Sequence, residues 1–164
     1  MAGNIKKRLG FVYGLKTKKG IALLQIVEID DDPTKVNLIR VCNGFLGENY
    51  TEDDIKDIIQ KKELFFLQMP LRLITSKSKI YKTYFAFDKQ YAIPSDLKKP
   101  DYLRGFTLGR NGEVYWYKKR RNDNGNEYVD VITPEFLSLS PDACWNLPDL
   151  QEFLENGKKI TDYI

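Results

Sequence analysis

The hydrophobic pattern in the first third of the chain predicts a series of antiparallel strands. Residues 21–29 are apolar at nearly every position, which is typical of a strand that is covered on both faces. Residues 9–15 before this segment and residues 35–42 after it are also apolar or rich in β-branched side chains. Turns at residues 17–20 and 30–33 separate the three segments. We therefore expect a β-meander.

Two other segments have helical spacing. Thr51 can cap a helix whose apolar face is formed by Ile55, Ile58 and Ile59, and which ends near residues 61–62. A second helix is expected over residues 146–157, because Pro148 suits a first helical turn and a glycine at its end suits a C-terminal cap. Its apolar stripe consists of Leu147, Leu150, Phe153 and Leu154.

The remaining segments predict further strands. Residues 64–69 and 79–87 have strand patterns, whereas residues 91–100 lie between prolines and predict a loop. Asn111-Gly112 is a hairpin signal within a three-stranded antiparallel meander over residues 104–132. The whole chain, residues 1–164, is therefore predicted to be a single α+β domain. It is mainly antiparallel, with a strongly curved sheet or partial barrel and two short helices.

The side-chain inventory excludes several kinds of catalytic and metal site. Histidine is absent, which removes Ser-His-Asp triads, Cys-His pairs and histidine zinc sites. Only Cys42 and Cys144 are present, so four-cysteine metal sites are excluded, and the pair is expected to be reduced. We expect a non-enzymatic, cytoplasmic protein with no cofactor, no metal and no membrane span.

The net charge of +3 hides two oppositely charged regions. Residues 28–57 contain nine acidic and three basic residues, a net charge of −6, so the remainder carries +9. This acidic segment is the candidate partner-binding surface, although a turn and a helix N-terminus would also account for its carboxylates. The candidate residues are Asp30, Asp31, Asp32, Glu52, Asp53 and Asp57.

A basic hairpin is the alternative binding surface. Strand alternation places Tyr115 and Tyr117 on one face, next to a run of four cations. Such a surface could stack bases and hold phosphates, which would make the chain a single-stranded nucleic-acid-binding domain, or it could dock an acidic protein. A packed sheet with a solvated hairpin tip would account for the same residues. The cations are Lys118, Lys119, Arg120 and Arg121.

Four short segments follow one another in a suggestive order. They are Gly10-Phe11-Val12-Tyr13, Gly20-Ile21-Ala22-Leu23-Leu24-Gln25-Ile26-Val27, Pro100-Asp101-Tyr102-Leu103-Arg104-Gly105-Phe106 and Trp145-Asn146-Leu147-Pro148-Asp149-Leu150. Their order resembles the immunity protein 26 family of bacterial polymorphic toxin systems, over about residues 10–157. The resemblance implies a non-enzymatic cytoplasmic protein that binds and neutralises a cognate protein toxin, and it assigns no individual site residue. The acidic surface would suit a basic toxin and the basic hairpin an acidic one, with a slight preference for the acidic surface.

Overall fold

The computed structural model describes residues 6–30, 37–70, 79–142 and 146–157. The α+β, mainly antiparallel fold is confirmed. Besides a short 3₁₀ helix, Lys6–Arg8, the described residues form nine strands and four α-helices. The strands are β1 Phe11–Thr17, β2 Gly20–Glu28, β3 Asn37–Leu46, β4 Phe65–Met69, β5 Phe85–Gln90, β6 Tyr102–Leu108, β7 Val114–Arg120, β8 Asn126–Tyr128 and β9 Ser140–Pro141. The helices are α1 Glu52–Gln60, α2 Lys79–Tyr84, α3 Pro134–Ser138 and α4 Leu147–Asn156.

A five-stranded antiparallel sheet forms the centre of the molecule. Its strand order is β4-β3-β2-β1-β5, and the six residues from Ala22 to Val27 in the middle strand are all buried. One face packs against the apolar stripe of α4, formed by Leu147, Leu150 and Leu154. The other face packs against Ile55, Ile58 and Ile59 of α1. The prediction that β2 is covered on both faces is therefore confirmed.

A smaller sheet contains the predicted C-terminal meander. Its order is β8-β7-β6-β9, with β9 parallel to β6 and the other pairs antiparallel. The Asn111-Gly112 turn is present, and Gly112 has the positive φ of 77° that favours glycine there. Helix α3 packs on this sheet through Phe136, whose ring meets Trp116 edge-on with centroids 5.9 Å apart. The third strand ends at Tyr128, so residues 129–132 are not strand as predicted.

Two details of the predicted fold are wrong. The described strands form two sheets, where one strongly curved sheet or partial barrel was predicted, and they form no closed barrel. Four α-helices replace the two that were predicted. The two sheets meet at their edge strands β4 and β9, where the Phe66 N–H donates to Ser140 Oγ over 3.0 Å. A side-chain hydroxyl thus joins the sheets at a point where a continuous sheet would have a backbone ladder.

The segment over residues 79–87 was predicted as one strand, but it begins as helix α2 and becomes strand β5 only at Phe85. Tyr81 of α2 contacts Phe85, the first residue of β5, with ring centroids 5.1 Å apart. Tyr81 also meets the buried Tyr13 edge-on, which anchors α2 on the five-stranded sheet.

Four residues named in the sequence analysis lie outside the described residues: Asp31, Asp32, Cys144 and Trp145. Within the ranges that the structure does describe, no helix combines the length and the apolar composition needed to cross a membrane.

Candidate functional site

The acidic surface is carried by helix α1, and the local sequence explains why the helix starts where it does. The side chain of Thr51 accepts a hydrogen bond from the Asp54 N–H, and the Asp54 carboxylate accepts one from the Thr51 N–H over 2.7 Å. This reciprocal capping box satisfies backbone donors at the helix start. The bond from the Thr51 backbone lowers the pKa of Asp54, so this carboxylate has a structural role.

The other carboxylates of α1 point away from the core. Asp53 and Asp57 are exposed and one helical turn apart, opposite the apolar face that packs on the sheet. Among the described residues, Asp53 pairs only with Lys56, at 3.6 Å. Because both side chains are exposed to solvent, this ion pair is weak. Asp57 makes no ion pair or hydrogen bond with any part of the chain that is described. Like charges at this spacing slightly destabilise a helix, so folding does not favour the pair.

The other described candidates of the acidic surface, Glu52 and Asp30, make hydrogen bonds with other parts of the chain. Glu52 accepts a hydrogen bond from Lys89 over 2.7 Å, and this bond lowers the pKa of the Glu52 carboxyl. Asp30 is half-buried, and its N–H donates to the Asn37 side chain over 3.0 Å. Among the candidates that are described, the exposed carboxylates therefore lie on the helix.

A recess of about 430 Å³ lies beside these carboxylates. Phe45, Tyr50 and Ile58 supply apolar surface, and Phe45 is 37% exposed. The lining also includes Asp54, Asp57 and Lys61, so the recess has both polar and apolar surface. A recess of mixed polarity with a carboxylate in its wall could accept the long side chain of a lysine or arginine, since such side chains combine an apolar stem with a charged end.

The cations of the basic hairpin are largely occupied within the chain. Lys118 pairs with Glu127 at 3.2 Å, and Lys119 pairs with Asp142 at 3.0 Å. Arg120 lies over the ring of Tyr102 with 5.8 Å between the guanidinium carbon and the ring centroid. Arg121 pairs with Glu28 and also donates to the Pro100 carbonyl. These contacts compensate the local charge and favour a structural role for the hairpin.

The two tyrosines of this hairpin are not equivalent. Tyr117 is only 9% exposed, donates to Asp142 over 3.0 Å, and has a pKa raised by burial to about 12. Its hydroxyl lies against Gly105, where an added Cβ would be 2.5 Å away. Tyr115 is 47% exposed and donates to Glu113. A surface that stacks successive bases needs both rings accessible, and here only Tyr115 is.

Glu28 connects the two sheets, a role that the sequence analysis missed. Burial raises the pKa of its carboxyl, but hydrogen bonds from Lys99 and Arg121 outweigh this effect and leave the pKa below its ordinary value. Lys99 lies at 2.9 Å and Arg121 is in direct contact. The partners are far apart in sequence, so charge patterning could only assign Glu28 to the acidic segment.

Cys42 is a free thiol that is 2% exposed, and Cys144, the other cysteine of the predicted reduced pair, lies outside the described residues. Burial raises the pKa of the Cys42 thiol from the ordinary 9.0 to about 11. A buried thiol with a raised pKa is a poor nucleophile. Across the ranges in which residues are described, no three side chains of the metal-binding types His, Cys, Asp and Glu are grouped.

This raised pKa makes a testable prediction about pH. The thiol ionises less readily in the folded state than in the unfolded state. Its contribution to the free energy of unfolding is therefore complete below pH 9 and is lost as the pH rises through 11. Folded protein should therefore lose roughly 2 kcal/mol of unfolding free energy over this range from Cys42 alone. Urea unfolding of wild type and Cys42→Ala should show a steeper alkaline loss in wild type. Equal slopes in the two proteins would contradict the prediction.

The comparisons with known proteins give no family for this chain. No protein-family model, curated protein or solved structure matches it. The resemblance to the immunity protein 26 family therefore stays a prediction, and the arguments for function come from the surfaces described above.

Proposed function

We propose that this chain is a non-enzymatic cytoplasmic immunity protein of a bacterium that neutralises a cognate protein toxin by binding it. The observation that carries the proposal is the exposed Asp53–Asp57 pair on α1, because Asp57 lines a recess to which Phe45 and Tyr50 add apolar surface. Such a surface suits a basic partner, because opposite charges speed encounter and an apolar pocket holds an anchoring side chain.

The balance of charge supports the acidic surface over the basic hairpin. The hairpin cations are engaged by Glu127, Asp142 and Glu28, whereas Asp57 has no such partner among the residues described. A nuclease or another toxin with a cationic cleft would fit the proposed surface. Lys89 already pairs with Glu52 and Asp54 caps the helix, so we assign the central role to Asp53 and Asp57.

The decisive experiment is to search the reading frames next to this gene for a toxin-like protein and to co-express that protein with this chain. We expect restored growth and a stoichiometric complex that survives gel filtration. Absence of both protection and complex formation with that protein would overturn the proposal. A catalytic modification of the toxin by substoichiometric amounts of this chain would also overturn it, since the proposal requires inhibition by occupancy.

Charge reversal tests the acidic surface directly. The double variant Asp53→Lys/Asp57→Lys should raise the dissociation constant about 30-fold, mainly through slower association at low salt. The unfolding free energy should change by less than about 0.5 kcal/mol, because both side chains are exposed and loosely paired. Binding is measured by surface plasmon resonance and stability by urea unfolding.

A matched control separates local from overall charge. Asp96→Lys/Asp130→Lys makes the same change in net charge at two exposed positions away from α1 and should leave binding unchanged. Equal weakening by both double variants would indicate a non-specific effect of charge. Loss of binding only in Lys118→Glu/Arg120→Glu would place the toxin on the basic hairpin instead.

A further inference from the structure

A large cleft opens where the two sheets meet, and neither the acidic carboxylates of α1 nor the proposed toxin-binding role uses it. Its volume is about 1030 Å³, which reaches the upper end of the range for small-molecule sites. The walls come from the β3–β4 side of the larger sheet, from β6, β9 and α3, and from the end of α4. Aromatic rings contribute much of the surface, in particular Phe65, Phe66, Tyr102 and Phe153.

Arg104 is a partly buried cation in this wall, and it lacks a counter-charge among the described residues. The Nε of Arg104 donates to the Leu139 carbonyl over 2.8 Å, which fixes the side chain against the segment that leads into β9. Its Nη1 is covered and has no hydrogen-bond partner, and no described carboxylate lies within ion-pair distance of the guanidinium. Burial lowers the pKa of this group. A covered guanidinium nitrogen without a partner is costly, and an anion is the group that best offsets the cost.

Arg40 and Arg104 differ in which of their nitrogens is unpaired. Both terminal nitrogens of Arg40 donate to oxygens of the protein, on Gln25 and Lys61, and its Nε is the atom that is buried without a described partner. Arg104 has the reverse arrangement: its Nε is bonded, its terminal nitrogens make no hydrogen bond to a described residue, and it lines the cleft, which Arg40 does not. The terminal nitrogens, which form the fork that binds an oxyanion, are therefore unused in Arg104.

We propose that the cleft binds a small ligand that combines an aromatic or otherwise flat apolar body with an oxyanion, a carboxylate or a phosphate, which pairs with Arg104. The apolar body packs between the aromatic walls, and the oxyanion accepts hydrogen bonds from the guanidinium. Three lysines line the cleft with Arg104, namely Lys19, Lys62 and Lys98, against the two carboxylates Glu63 and Asp101, so the charge of its lining is net positive.

Calorimetric titration with four probes tests this proposal: benzoate, phenyl phosphate, inorganic phosphate and uncharged benzamide. Benzoate or phenyl phosphate should bind at millimolar concentration, and the tighter of the two identifies the preferred oxyanion. Benzamide and inorganic phosphate should each bind at least about tenfold more weakly, because each lacks one of the two recognised features. Failure of both aromatic oxyanions to bind, or equal binding of benzamide, would overturn the proposal.

Two variants test the role of Arg104 itself. Arg104→Met keeps much of the side-chain volume and should abolish binding of the aromatic oxyanions, whereas Arg104→Lys should retain part of it. Arg110→Met, at an exposed position in the β6–β7 turn, serves as the matched control and should bind normally. Unchanged binding by Arg104→Met would overturn the proposal. If that variant does not fold, Arg104→Lys and the uncharged probe on wild type still decide the question.

Discussion

Replacing Arg40 with alanine is expected to lower the free energy of unfolding by about 3 kcal/mol. Arg40 lies in the middle of β3 and is 1% exposed, yet no described carboxylate pairs with it. Its guanidinium donates to the Gln25 side chain over 3.3 Å and to the backbone carbonyl of Lys61. Lys61 is the C-cap residue of α1. Alanine would leave both oxygens without this donor and would open a cavity under the helix.

The size of the effect follows from opposing contributions. Each buried acceptor left without a donor costs about 1–3 kcal/mol, and the cavity adds to this. Removing a buried positive charge that has no counter-ion offsets part of the loss. Because Lys61 ends α1, the substitution should also loosen the helix that carries the proposed toxin-binding carboxylates.

Urea unfolding followed by tryptophan fluorescence measures the change. Arg40→Met refills the volume but restores neither hydrogen bond, so it should recover only part of the lost stability. The control Arg110→Ala removes an exposed arginine and should change the free energy by less than about 0.5 kcal/mol. A loss below about 1 kcal/mol for Arg40→Ala would contradict a structural role for this side chain.

Arg40 also shows where sequence reasoning reached its limit. The strand around it was predicted from its apolar neighbours, but the pattern does not say how a charged residue inside a buried strand is satisfied. The partners Gln25 and Lys61 come from a different strand and from the end of a helix. Tertiary pairing of this kind is set by the fold and leaves no local signal.

The helices illustrate the opposite case. The start of α1 at Thr51 and the left-handed Gly157 cap of α4 depend on residues within one or two turns of each other, and both were predicted correctly. Helix α2 was missed because alternation and helical spacing overlap in a short aromatic segment. Local rules thus identified long elements with clear caps and failed for a helix of six residues.

The candidate site, like the fold, was predicted only in part from the sequence. The sequence placed Asp53 and Asp57 among the candidate partner-binding residues, and both are exposed on α1. It counted Glu28 only as part of the acidic segment, whereas Glu28 pairs with Lys99 and Arg121 and joins the two sheets. It did not detect the cleft at Arg104, because the walls come from segments that meet only after both sheets have formed.

A second large loss of stability is expected where the β1–β2 hairpin passes β3. Gly20 has a φ of +123°, and a Cβ added there would lie 2.4 Å from the backbone oxygen of Leu46. The obstacle is backbone that belongs to the next strand, because Ile21 pairs with Leu46. Gly20→Ala should therefore lower the free energy of unfolding by about 3 kcal/mol, from backbone strain together with displacement of the end of β3.

Gly47→Ala is the matched control for this substitution. An added Cβ at Gly47 meets nothing within 4 Å, and the residue has no positive φ. Its stability should stay within about 0.5 kcal/mol of wild type, or rise slightly because alanine restricts the unfolded chain. Thermal and urea unfolding of the two variants measure the difference. Similar stabilities for Gly20→Ala and Gly47→Ala would mean that the backbone at the end of β3 can shift away from the added Cβ at little cost in free energy. Phe45 and Leu46 would then be a movable wall of the recess beside α1, and a basic side chain could enter by displacing them.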